Sequence, residues 1–328
     1  MSDWTPDDLG HGYEKRTIAL GEDPDGEGTI EATLVRHTPP DPVRAAVLYV
    51  HGFSDYFFQD EMARFYTERG FAFYALDLRK CGRSRRPGQT GHYVSDLAMY
   101  DRELDEALAI VRRETGDKPV LMSGHSTGGL IIPLWLDRMN RRPGGTKGAG
   151  VVGVVLNSPW FDLQGKSWMR TVGTRVIAAV ARFRPKDMIN LPATDAYGSS
   201  LHVSGHGEWE FNTAFKPLNG FPVSYGWLTA IRRGHAQLHR GLDIGVPSLV
   251  LRSTRSRPAR SWSPDVDEAD VVLDVKQIAR WSGCLGDAVT VVPVDKARHD
   301  VFISKKEPRE AAYAVVDTWL RATGLIGS

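Results

Sequence analysis

Short apolar runs separated by amphipathic segments fill most of this chain, and that alternation leaves few architectures open. Residues 45–50 (A-A-V-L-Y-V), 71–78 (F-A-F-Y-A-L-D-L), 119–122, 150–156, 247–251 and 288–293 are rich in Val, Leu and Phe. Such runs suit strands buried on both faces. Between them, segments 59–69, 94–114, 127–140, 271–282 and 307–321 place apolar residues at helical spacing. In the second of these, Leu97, Tyr100, Leu104, Leu108 and Val111 share one face. Buried strands alternating with helices predict an α/β fold, a mostly parallel sheet with helices on both faces. Ahead of the first run, residues 14–20 and 29–37 flank G-E-D-P-D-G-E-G and predict a β-hairpin. The helix over 127–140 is expected despite Pro133, which should kink it or cost about 3 kcal/mol unless compensated.

Residues 161–245 interrupt the alternation. They are rich in aromatics, Pro and Gly, contain no parallel-strand run, and have helical pattern over 167–183 and 224–240. They read as an inserted, mostly helical cap, leaving residues 1–160 and 246–328 as the core.

Composition excludes several function classes. Forty-one basic and 40 acidic side chains nearly cancel, so no broad footprint for nucleic acid is expected. Arg252, Arg255, Arg257 and Arg260 read as a solvated loop. No run approaches about 18 apolar residues, so no stable membrane insertion is expected. The first residues, M-S-D-W-T-P-D-D-L-G, lack a secretory apolar region. Cys81 and Cys284 cannot make a disulfide framework. A cytoplasmic monomer or homodimer is the expectation. No G-x-G-x-x-G or P-loop occurs, so no cofactor is expected. His235 and His239, like His202 and His206, have the spacing of zinc ligands. Without H-E-x-x-H or a third ligand they read as packing or solvated histidines.

In parallel sheets chemistry gathers at the carboxyl ends of the strands. Gly124–Gly128 reads G-H-S-T-G, after the apolar run 119–122 and before a helix. A strand-to-helix elbow needs small neighbours because its turn is tight, and Gly124, Gly128 and Gly129 supply them. Such an elbow lifts Ser126 to a helix N-terminus, where the Thr127 N–H can meet a developing oxyanion. H-G-F-S-D at 51–55 ends the 45–50 run, and the Phe53 N–H is the candidate second donor. A serine needs a base. His299, in K-A-R-H-D after the last strand, is the candidate, with His51 and His125 as competitors. The base needs a carboxylate, expected after the 247–251 strand. Asp270 stands at the loop-to-helix junction, with Asp267 second.

The order Ser126, Asp270, His299 resembles the α/β-hydrolase superfamily, and within it the monoacylglycerol lipase and lysophospholipase-like group of serine aminopeptidase S33 type. The resemblance spans about residues 40–325. It rests on H-G-F-S-D, on D-L-R-K-C-G-R-S at 77–84, on G-H-S-T-G-G, on D-V-V-L-D and on R-H-D. It implies Ser126 as nucleophile, Asp270 as acid, His299 as base, Phe53 and Thr127 as oxyanion donors, and a cap matching 161–245.

The expected activity is therefore hydrolysis of a small-molecule acyl ester, a monoglyceride, lysophospholipid or related compound, through an acyl-enzyme. Two alternatives stand beside it: a proline-type aminopeptidase anchored by Glu208 or Glu210, and a catalytically silent ligand-binding protein of the same fold. Among the dense cap aromatics, which include Trp168, the pair Trp160 and Phe161 follows a strand end and is the candidate pocket lining.

Overall fold

The computed structural model describes residues 3–164, 173–192 and 194–327. A short strand β1 (Thr5–Pro6) and the hairpin β2 (Tyr13–Glu22) and β3 (Thr29–His37) precede the first buried strand, β4 (Ala45–Val50). Helix α1 (Asp60–Thr67) leads to β5 (Phe71–Asp77), and α2 (Asp101–Glu114) to β6 (Val120–His125). Helix α3 (Gly128–Asn140) and the single turn α4 (Gly145–Gly148) precede β7 (Val151–Asn157). Then come α5 (Thr174–Ala181), α6 (Ala196–Leu201) and α7 (Tyr225–Leu238). Strand β8 (Ser248–Ser253), α8 (Val275–Trp281), β9 (Val289–Val294) and α9 (Lys306–Ala322) complete the chain.

The strands form one sheet in the order β1-β2-β3-β5-β4-β6-β7-β8-β9. From β5 to β9 neighbouring strands are parallel, whereas β1, β2 and β3 are antiparallel. Alternation along each strand sends side chains to opposite faces. Ala46, Leu48, Val50, Met122, Val154 and Val250 join the core beneath α2, α3 and α7. Val47, Tyr49, Leu121, Val155, Leu249 and Leu251 join the opposite core, against α1 and α9. The chain leaves β4 for β5 on one side and returns to β6 on the other, which makes the β4/β6 edge the switch point where open α/β sheets bind ligands.

Three expectations shift in detail. Strand β6 runs on to His125, because its ladder with β7 continues to the His125–Asn157 pair. The helix expected over 271–282 begins only at Val275. Ser256 Oγ donates to the Leu273 carbonyl and accepts the Val275 N–H, both at 2.8 Å, so the loop after β8 takes a carbonyl that an earlier helix would use, and Asp274 caps α8 instead, its Oδ1 accepting the Lys276 N–H at 3.0 Å. Strand β9 is a sheet edge, with Val291 exposed, rather than buried on both faces. Helix α3 runs through Pro133, as the pattern over 127–140 predicts, with nearly all its residues buried. Trp168 and part of the predicted helix 167–183 lie outside the described residues; α5 accounts for the remainder of that helix.

Candidate active site

Ser126 links β6 to α3 with φ of +52°, a conformation that non-glycine residues rarely adopt. The glycines around it are required by contact. A Cβ on Gly128 would sit 2.4 Å from the Val50 carbonyl oxygen and 2.5 Å from that of His51. One on Gly124 would lie 2.8 Å from Ile132 Cδ1, and one on Gly129 2.7 Å from Pro159 Cβ. The first turn of α3 thus presses directly on the end of β4. Gly128→Ala is expected to lower stability by roughly 3 kcal/mol, because rigid backbone cannot move aside. A urea-unfolding midpoint equal to wild type would contradict that contact.

The ends of β4 and β6 meet at the site. A Cβ on Gly52 would lie 3.0 Å from Ser126 Cβ. Phe53 and Thr127 line one small cavity of about 10 Å³, together with His51, His92 and Trp227. Neither the Phe53 nor the Thr127 N–H donates a hydrogen bond among the described residues. His51 shapes this loop with both ring nitrogens: Nδ1–H donates to the Gly52 carbonyl at 2.7 Å, and Nε2 accepts the Leu78 N–H at 3.1 Å. With both nitrogens engaged, it is not free to act as a base.

His299 follows β9, and its Nδ1 lies 2.9 Å from Asp270 Oδ2. Asp270 is fully buried, and its backbone is gripped as well, the N–H by Arg255 O at 3.0 Å and the carbonyl by Arg257 N–H at 2.9 Å. An ionised carboxylate can only accept, so Nδ1 carries the proton and Nε2 presents its lone pair. Asp267 faces elsewhere: its Oδ1 takes Arg298 Nε and Nη2 at 3.2 and 2.6 Å. The His299 ring lies 4.9 Å from that of His125, the neighbour of Ser126 in the chain. Ser126 Oγ and His299 Nε2 make no hydrogen bond among the described residues, and such contacts often close only when substrate binds.

Trp160 and Phe161 leave β7 beside the elbow. The Trp160 N–H donates to Ser126 O at 2.9 Å, and its ring lies 5.7 Å from that of Trp227. Phe161 is wholly enclosed in the core. The histidines at helical spacing hold this turn, His235 Nε2–H donating to Trp160 O and His239 Nε2–H to Phe161 O, both at 2.8 Å. Burial, then the Arg232 guanidinium, push the His235 pKa down, so it stays a neutral donor at pH 7.

Sequence reasoning did not assemble the polar groups packed behind the site. Asn157 Nδ2–H donates to Asp300 Oδ1 at 2.6 Å, and Asn157 Oδ1 accepts the Val301 N–H at 3.1 Å, tying the end of β7 to the His299 loop. His125 Nδ1 meets Asp55 Oδ2 at 3.1 Å, and Lys216 meets Asp55 Oδ1 at 2.7 Å. Asp55 and Asp300 stood within the H-G-F-S-D and R-H-D motifs, but Lys216 carried no local signal.

A parallel sheet bearing a serine elbow at its switch point defines an α/β-hydrolase. The profile of the serine aminopeptidase S33 family matches residues 41–257, and the chain belongs to that family. A soluble variant of monoglyceride lipase from Saccharomyces cerevisiae shares its fold, with TM-score 0.66, 14% identity, and coverage of 95% of this chain and 96% of that one. So does a Paleococcus ferrophilus monoacylglycerol lipase, with TM-score 0.62, 19% identity, and coverage of 90% and 99%. A Bacillus coagulans carboxyl esterase superposes with TM-score 0.65, 14% identity, and coverage of 94% and 98%. No curated protein matches the chain by sequence.

Proposed function

We propose that the protein is a serine hydrolase of carboxylic esters, acting through an acyl-enzyme, with Ser126, His299 and Asp270 as its triad. The observation that carries this reading is the buried 2.9 Å pair of His299 and Asp270, set at the same sheet edge as the Ser126 elbow. His299 Nε2 takes the proton of Ser126 as Oγ attacks the ester carbonyl. The Phe53 and Thr127 N–H groups receive the negative charge on the carbonyl oxygen. The proton then passes to the leaving alcohol, and a water activated by His299 releases the acid.

Residues 161–245 serve as the cap, and Trp160 and Trp227 face the acyl group. A monoglyceride or similar acyl ester suits this aromatic setting, and two of the structural relatives are named as lipases of such substrates. The family's name favours a second reading, an aminopeptidase, which would need a carboxylate to hold the substrate amine. Glu208 is a poor candidate, since it pairs with Lys305 at 3.0 Å near the surface.

A small fluorophosphonate, followed by peptide mapping, tests the reading. A stoichiometric adduct on Ser126, absent from the denatured protein, is expected. No adduct on the native protein, or one on another serine, overturns the assignment.

A further inference from the structure

The segment between β7 and β8 puts one charged side chain into the interior beside the reacting centre. Lys216 is only 5% exposed. Its Nζ meets Asp55 Oδ1 at 2.7 Å and lies 5.7, 5.6 and 5.8 Å from the ring centres of Phe58, Tyr197 and Phe211. Three aromatic faces and one carboxylate make a cage suited to an ammonium ion. The carboxylate is shared, because Asp55 Oδ2 meets His125 Nδ1 at 3.1 Å. His125 is the residue before Ser126, and its ring lies 4.9 Å from that of His299. Tyr197, from the same segment, packs edge-on to His299 at 5.5 Å.

We propose that Lys216 is a positioning residue for the reacting centre: by neutralising Asp55 it holds His125, and with it the strand end bearing Ser126, against His299. This inference rests on the reading of Ser126 and His299 as the reacting pair. A buried carboxylate is stable only when paired. Burial alone would raise the Asp55 pKa, but the Lys216 ammonium and the His125 contact hold it far below the ordinary range. The charge is therefore present throughout the working pH range, and its ammonium partner, Lys216, comes from residues 161–245. Docking of that segment and alignment of the elbow are one event.

Several other groups sense this charge. Tyr49 and His51 face Asp55 from β4 and its end, and Tyr56 from the following loop. His92 feels both Asp55 and Lys216. Asp300 lies 3.9 Å from His125 Nδ1, and Asp270 faces His299 from its other side. None of these donates a cation to Asp55 as Lys216 does, so removal of Lys216 leaves a net negative charge next to the base.

The test is a double-mutant cycle of Lys216→Met and Asp55→Asn in the full chain, read on an aryl butyrate ester across pH. Each single variant is expected to lower kcat by on the order of 10–100-fold with little change in KM, since a small misplacement of reacting groups is that costly. The acidic limb of kcat/KM, which reports protonation of His299, is expected to rise in Lys216→Met and to fall in Asp55→Asn, each by roughly 0.5–1 pH unit. A negative charge left behind favours the imidazolium and a positive one opposes it. The double variant, which leaves neither charge, is expected to return close to the wild-type limb. If Lys216→Met does not fold, Asp55→Asn and the double variant still give the sign and its reversal. Limbs unmoved, or moved in the same direction in both single variants, overturn the inference. A wild-type protein with no esterase activity would overturn the hydrolase reading instead.

Discussion

Ser126→Ala and His299→Ala are each expected to lower kcat for ester hydrolysis by on the order of 10⁶-fold, the pattern for triads whose members act as a unit. The loss is large because each step needs both groups: the hydroxyl is inert without a base, and the base has nothing to activate without the hydroxyl. Little stability should be lost with Ser126. Its side chain makes no hydrogen bond among the described residues, and alanine at φ +52° suffers the same backbone strain as serine. A steady-state assay with matched unfolding curves separates chemistry from folding. Wild-type turnover in Ser126→Ala would refute the proposed mechanism outright.

Asp270→Asn is expected to cost about 10⁴-fold in kcat, whereas Asp267→Asn acts mainly on stability. The difference follows from what surrounds each carboxyl. Asp270 Oδ1 is fixed by two backbone N–H groups, from Val272 and Leu273. In the asparagine variant only the amide oxygen can occupy that place, so the NH₂ group must face His299. It then donates to Nδ1, the ring proton moves to Nε2, and the lone pair needed to deprotonate Ser126 is lost. Asp267 instead neutralises Arg298, a fully buried residue. Removing that charge should cost about 1–3 kcal/mol of stability and leave kcat within a few-fold of wild type. Kinetics and thermal unfolding of both variants decide the point: a larger drop in kcat for Asp267→Asn would move the acid role to Asp267.

How far the site can be read from the chain depends on the range of the interactions that build it. The elbow was legible because its requirements are local: a strand, a tight turn with glycines on either side, and a helix, all within consecutive residues. His299 was legible because it follows the last strand of a parallel sheet, at the edge where strand ends gather. The proposed acid was only half legible. Asp267 and Asp270 are three residues apart in one loop, and periodicity cannot rank them. What ranks them is the pairing of Ser256 with Asp270, which pulls the second carboxyl under His299, while Arg298 draws the first away. Ser256 also holds the Leu273 carbonyl and the Val275 N–H, which is why the helix expected from residue 271 starts at Val275.

The histidine pairs show the opposite limit. His235 and His239 have a spacing that fits ligands and packing groups alike, and only the chain leaving β7 shows that both donate to the carbonyls of Trp160 and Phe161. Lys216 had no pattern of its own, since its partner Asp55 lies 161 positions away.

By itself the sequence determined the α/β layering, the parallel strands, the serine elbow and the places of the candidate residues Ser126 and His299. These rest on hydrophobic periodicity and turn chemistry, which act over a few residues and are written in consecutive letters. The tertiary structure alone decided which carboxyl meets His299, which histidines hold backbone, and which lysine reaches Asp55. Those choices depend on which loops come to lie side by side, and a buried charge takes whichever partner the fold brings within hydrogen-bond reach.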